Sequence, residues 1–136
     1  MGALADAALE AGGEVIGVIP EMLAAREVAH RGLTQLHVVG SMHERKALMA
    51  AHSDAFLALP GGYGTLEELF EAITWGQLGY HGKPCAALNV AGYFDSLLRF
   101  CDDAVRFDFI RPSDRALLLA GSDLEALLDE LLARAA

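Results

Sequence analysis

Short apolar runs without polar alternation recur along the chain, and each gives way to a stretch with helical spacing. The runs cover residues 15–19, 36–39, 55–59, 85–88 and 116–119. A short run that is apolar on both faces predicts a strand covered on both sides, as in a parallel sheet. Between the runs, the pattern predicts a helix over 1–11 closed by Gly12-Gly13, and a stop at Pro20 followed by a weakly helical or loop segment over 21–30. Ser41 is placed to cap a helix over 42–52, and the next helix runs over 65–78. The turn Gly82-Lys83-Pro84 leads into the strand at Cys85, a helix follows over 93–107, and Ser122-Asp123 caps a closing helix that ends near 135. The strand–helix alternation predicts an α/β class: one Rossmann-like, doubly wound parallel-sheet domain over 1–136. Such sheets bind ligands at the carboxyl ends of their strands. The chain opens in a helix where doubly wound sheets open in a strand, so the sheet is expected to be N-terminally incomplete here.

Composition narrows the function. At 136 residues, with 54% hydrophobic and 21% charged, the chain can bury one core. Its net charge of −9 disfavours general binding to nucleic acid or to an anionic membrane, so any phosphate site must be built locally. The two cysteines, Cys85 and Cys101, have no paired spacing, which argues for free thiols over a disulfide or zinc framework. There is no basic-then-apolar leader, and no apolar run near the ~20 residues of a membrane span. A cytoplasmic setting is expected.

The chemistry concentrates after the third run. Residues 60–68 read Pro-Gly-Gly-Tyr-Gly-Thr-Leu-Glu-Glu, a glycine turn between a strand and a helix. Glycines let backbone approach a ligand or take conformations closed to other residues, and helix-start N–H groups favour an anion such as phosphate. Thr65 can cap the helix and offer its hydroxyl to phosphate. Glu67 and Glu68 are either acids for chemistry or simple partners of the helix dipole; adjacent positions point about 100° apart, so one can face a cleft and the other solvent. A second constellation is Met42-His43-Glu44-Arg45-Lys46-Ala47-Leu48-Met49. Met42, Arg45 and Met49 share a helix face, and an arginine in an apolar stripe either snorkels to water or meets a buried anion. Arg26-Glu27 reads as an exposed loop pair, and Trp75 as a core or subunit contact rather than a ligand platform. The five histidines form no metal-ligand spacing, and no G-x-S-x-G elbow occurs.

Taken together, Arg45-Lys46 and Pro60–Glu68 resemble the LONELY GUY (LOG) family, cytokinin riboside 5′-monophosphate phosphoribohydrolases formerly labelled lysine decarboxylases. The family pattern P-G-G-x-G-T-x-x-E matches Pro60 to Glu68 at every fixed position, and Leu69 to Trp75 and Gly82-Lys83-Pro84 also look like the family. The resemblance extends from about Ala5 into the last helix; the strand and glycine-rich segment that precede the first helix in the family are expected to be missing from this chain. It implies hydrolysis of the N-glycosidic bond of a nucleoside 5′-monophosphate, with AMP as a further candidate, without metal or organic cofactor. It also implies a homodimer with active sites near the interface. Carried over by position, Arg45 and Glu68 would be catalytic. The turn Gly61, Gly62, Tyr63, Gly64, Thr65 with Leu66 would bind substrate, the turn holding its phosphate. Lys46, Glu67, Glu27 and Thr74 match ligand-contacting positions. The main alternative is a non-catalytic nucleotide-binding sensor or carrier on the same fold. Dimerisation finds support in the apolar surface of the 65–79 helix, wide for one helix, which either faces a partner or lies in a single core.

Overall fold

The computed structural model describes residues 2–24 and 32–136; Arg26 and Glu27 lie outside the described residues. The chain divides into two compact units, Met1–His52 and Ser53–Ala136.

In the first unit, α1 (Gly2–Glu10) ends where Gly12 takes a positive φ of 80°. The Gly12 and Gly13 N–H groups close back on the carbonyls of Leu9 (2.9 Å) and Ala8 (2.8 Å), which satisfies the helix's last carbonyls. Strands β1 (Ile16–Pro20) and β2 (Gln35–Val39) pair in parallel, Ile16 opposite Gln35 and Pro20 opposite Val39. β1 ends at Pro20 as expected, with the proline as its last residue; among the described residues β1 pairs only with β2, and an edge strand tolerates a missing N–H. The turn α2 (Glu21–Ala24) follows directly. Helix α3 (Met42–His52) starts as predicted at Ser41, whose hydroxyl accepts from the Glu44 N–H at 3.1 Å, while the Glu44 carboxylate accepts from the Gly40 N–H at 2.7 Å. This reciprocal cap satisfies donors that a helix start leaves unpaired.

The second unit is a three-stranded parallel sheet in the order β3 (Phe56–Ala58), β4 (Cys85–Leu88), β5 (Leu118–Gly121). Alternate strand residues serve opposite faces. Ala58, Ala87 and Leu118 pack with Leu69, Phe94 and Cys101, which belong to α4 (Tyr63–Gln77) and to α5 (Asp95–Arg106) with the residue that caps it. Leu57, Ala86, Leu88 and Leu119 pack with Leu127 and Leu131 of α7 (Leu124–Ala135). Covered on both faces, all four residues of β4 are buried, which is why that strand carries no polar residue. The parallel strands and intervening helices make the fold α/β and Rossmann-like. Both thiols are buried and free: burial pushes Cys85 up to about 11, and Cys101 rises from the same cause, opposed by Arg115.

The last strand lies two residues later than the apolar run suggested. Pro112 starts a short helix, α6 (Pro112–Arg115), and Ala116 and Leu117 bond back to Pro112 and Asp114 at 3.1 Å each. The run's first half therefore closes a helix, and only Leu118 onward joins the sheet. Asp114 holds this corner: it accepts from Arg111 Nε at 2.8 Å and from Gln77 Nε2 at 2.9 Å. The Arg111 bond, with Gln77 adding to it, holds the Asp114 carboxyl below the usual carboxylate range. A depressed carboxyl stabilises the fold above the unfolded value near ~4, and the contribution is lost as pH falls through the lower folded value. Asp114→Asn should therefore melt below wild type at neutral pH and converge with it in acid. Melting curves across that range check this; parallel pH profiles would contradict it.

Candidate active site

The glycine turn leaves the carboxyl end of β3 and enters α4. The helix begins two residues earlier than its pattern suggested: Gly62 is the N-cap, in an extended conformation (φ −97°, ψ −150°) and without a side-chain cap. Thr65, expected as the cap, is the third helical residue. Its side chain turns back on Gly61 instead, where an added Cβ would overlap Thr65 Oγ1 and lie 2.9 Å from Thr65 Cβ. Nor do the glycines serve for left-handed backbone, because none of Gly61, Gly62 and Gly64 has a positive φ. Gly61 permits close approach, whereas Cβ atoms on Gly62 or Gly64 would meet nothing within 4 Å. Those two glycines leave the helix start bare. Bare N–H groups at the positive end of a helix dipole are what an anion needs.

This distinction is testable by substitution. Gly64→Ala should raise stability by about 0.5–1 kcal/mol, since alanine replaces glycine inside a helix, yet weaken binding of inorganic phosphate at the helix start. Gly61→Ala should lower both, because Thr65 must move. Thermal melts with titration calorimetry read the two effects; equal behaviour of the two variants would contradict the assignment.

The two acids behave as helical spacing requires: Glu67 is exposed and Glu68 half-buried, next to the core residue Leu69. Leu66 packs on the core, and Tyr63 is 94% exposed. Thr74 donates its hydroxyl to the Phe70 carbonyl of its own helix at 2.7 Å. The α4 apolar surface is largely absorbed by this unit's core through Leu66, Leu69, Phe70, Ala72 and Ile73, with Trp75 half-buried and Leu78 exposed.

In the first unit, Arg45 and Met49 are half-buried and Met42 is 44% exposed, so the mixed stripe forms. Arg45 Nε donates to the Val18 carbonyl of β1 at 3.1 Å, which fixes the guanidinium's root against a strand. Lys46 beside it is half-buried.

The loop after β4 carries a further set of contacts that hydrophobic patterning does not mark. There Asn89 donates its N–H to Gly121 of β5 (2.8 Å), accepts from the Phe94 N–H (2.7 Å) and donates through Nδ2 to Asp95 (2.7 Å). Tyr93, delivered by that loop, donates its hydroxyl to the Gly61 carbonyl at 2.6 Å. The signal was present: Asn89 and Gly92 punctuate the end of a buried strand, on the same edge as the glycine turn.

A family model described as "Possible lysine decarboxylase" matches residues 1–131. The chain is 54% identical over 131 residues to a protein of Oryza sativa subsp. japonica named as a probable cytokinin riboside 5′-monophosphate phosphoribohydrolase, covering 96% of the chain and 58% of the relative. It is 53% identical over 129 residues to the cytokinin riboside 5′-monophosphate phosphoribohydrolase of Rhodococcoides fascians, covering 94% and 65%. With one of Arabidopsis thaliana the identity is 50% over 131 residues, covering 96% and 62%. The chain thus spans about six-tenths of the length of these relatives. With nearly all of its residues matched by one family model and half of them identical to those relatives, the chain belongs to the LOG family, whose model keeps the lysine decarboxylase description.

Proposed function

We propose that this protein hydrolyses the N-glycosidic bond of cytokinin riboside 5′-monophosphates, releasing the free base and ribose 5-phosphate. One observation carries the reading: a bare glycine turn at the carboxyl end of β3, running into Glu67-Glu68, in a chain 50–54% identical to proteins named for that reaction. In the reaction C1′–N cleaves, a water oxygen bonds C1′, and the base leaves with a proton. The transition state carries positive charge on the sugar, as in glycoside hydrolysis, and a carboxylate either stabilises it or activates the water. Glu68, half-buried, is assigned that role. The 5′-phosphate is the remote handle: its binding to the turn's N–H groups positions the sugar. Arg45 supplies anion binding and assists catalysis, with Lys46 beside it in sequence. Glu67 and Thr74 are assigned substrate contacts, as is Glu27, which lies outside the described residues. No cofactor is required by this chemistry.

The protein is proposed to act as a homodimer; the exposed Tyr63, Leu78 and Tyr80 around α4 are apolar surface available to a second copy. Its proposed setting is the cytoplasm. Among the described residues no helix is long and apolar enough to cross a membrane.

Incubation with isopentenyladenosine 5′-monophosphate should yield free base and ribose 5-phosphate in equal amounts. Nucleotide binding without product, from this substrate and from AMP, would overturn the proposal in favour of a sensor or carrier.

A further inference from the structure

We propose that Tyr93 is the positioning residue of the glycine turn: through its hydroxyl it sets the direction of the Gly62 N–H, a phosphate-binding donor. The inference rests on the phosphoribohydrolase reading and adds a residue to it. A trans peptide is planar, with its C=O and N–H pointing in opposite directions. The Tyr93 hydroxyl holds the Gly61 carbonyl at 2.6 Å and so aims the Gly62 N–H to the opposite side. On the other side of Gly62, its carbonyl accepts from the Leu66 N–H at 3.1 Å, the first bond of α4. Both peptide planes that flank Gly62 are thereby fixed, one by the helix and one by Tyr93. Neither Gly61 nor Gly62 has a side chain of its own to restrict the first plane.

The loop after β4 is shaped to deliver that hydroxyl. Ala91 and Gly92 both take positive φ, 51° and 74°, and a Cβ on Gly92 would lie 2.6 Å from the Asp95 carboxylate. Asn89 ties the loop to β5 and to the start of α5, and Phe94 anchors it at 1% exposure. Tyr93 itself is 56% exposed, packed edge-on against Phe94 at 5.1 Å. A ring that far out contributes little core; its hydrogen bond is its distinctive contact.

The test compares wild type, Tyr93→Phe and Leu131→Val. Leu131 is a buried residue of α7 in the core cluster on the other face of the sheet, so its variant is destabilised without touching the turn. For Tyr93→Phe, the dissociation constant of ribose 5-phosphate should rise about ten-fold, as loss of a good hydrogen bond allows. KM for isopentenyladenosine 5′-monophosphate should rise by the same factor, with kcat within about three-fold of wild type. Leu131→Val should lower the melting temperature and leave ribose 5-phosphate binding unchanged. If Tyr93→Phe binds ribose 5-phosphate like wild type, or if Leu131→Val loses as much affinity, the inference is overturned while the proposed function stands. If wild type neither binds ribose 5-phosphate nor turns over nucleotide, both are overturned.

Discussion

Glu68→Gln should reduce turnover of isopentenyladenosine 5′-monophosphate by about 10³-fold, the usual scale for removing a group that stabilises developing charge. The substitution keeps size and hydrogen-bonding shape but removes the negative charge that the oxocarbenium-like state needs. Ribose 5-phosphate binding should change by less than about three-fold, because the proposed site binds the phosphate handle through backbone donors of the turn rather than through Glu68. Glu67→Gln, on the exposed neighbour, should cost far less in kcat. Steady-state kinetics on the two variants decide the assignment: equal losses, or a larger loss at Glu67, would move the catalytic role away from Glu68.

Phe94→Ala should cost about 3–5 kcal/mol of stability, the range for truncating a buried aromatic side chain. Phe94 is 1% exposed and lies where β3, β4, β5, α4 and α5 converge, alongside Ala58, Ala87, Leu118, Leu69 and Cys101. The small residues Ala58 and Ala87 on the strands leave room that the ring fills. Calorimetry should show the melting temperature falling by roughly 10–20 °C for a chain of this size. The loss should also reach the site, since Phe94 carries both the Asn89 bond and the adjacent Tyr93. A shift of only a few degrees would mean that the pocket collapses around the missing ring, and that this convergence is less tightly packed than its burial implies.

Much of the architecture was readable because its causes are local. The boundaries of β4 follow from four consecutive small or apolar residues, Cys85 to Leu88, bracketed by the turn residues Gly82-Lys83-Pro84 and by Asn89. The start of α3 follows from Ser41 and Glu44, spaced for reciprocal capping. The start of α7 follows from Asp123, whose carboxylate accepts from the Ala126 N–H at 3.0 Å. Each of these depends on residues within one helical turn or one strand. The misplaced elements fail for the opposite reason. Ala116 and Leu117 are apolar enough for a strand, but Pro112 and the Arg111–Asp114–Gln77 bonds commit them to the end of α6.

The candidate site divides along the same line. The order of residues in Pro60–Glu68 by itself determined that a strand–turn–helix junction with a glycine face and two acids exists, and together with Arg45-Lys46 it pointed to the family. Side-chain identity and spacing are carried along the chain, so they need no partner from elsewhere. Only the tertiary structure decided that Thr65 turns back on Gly61 rather than capping the helix, that Gly62 opens α4, and that Tyr93, 32 residues beyond Gly61 in the chain, bonds its carbonyl. The last of these depends on β3 and β4 lying side by side with their carboxyl ends together, a pairing between distant segments that no local pattern encodes; the first two turn on which of several helix starts open to the same glycine-rich segment is taken.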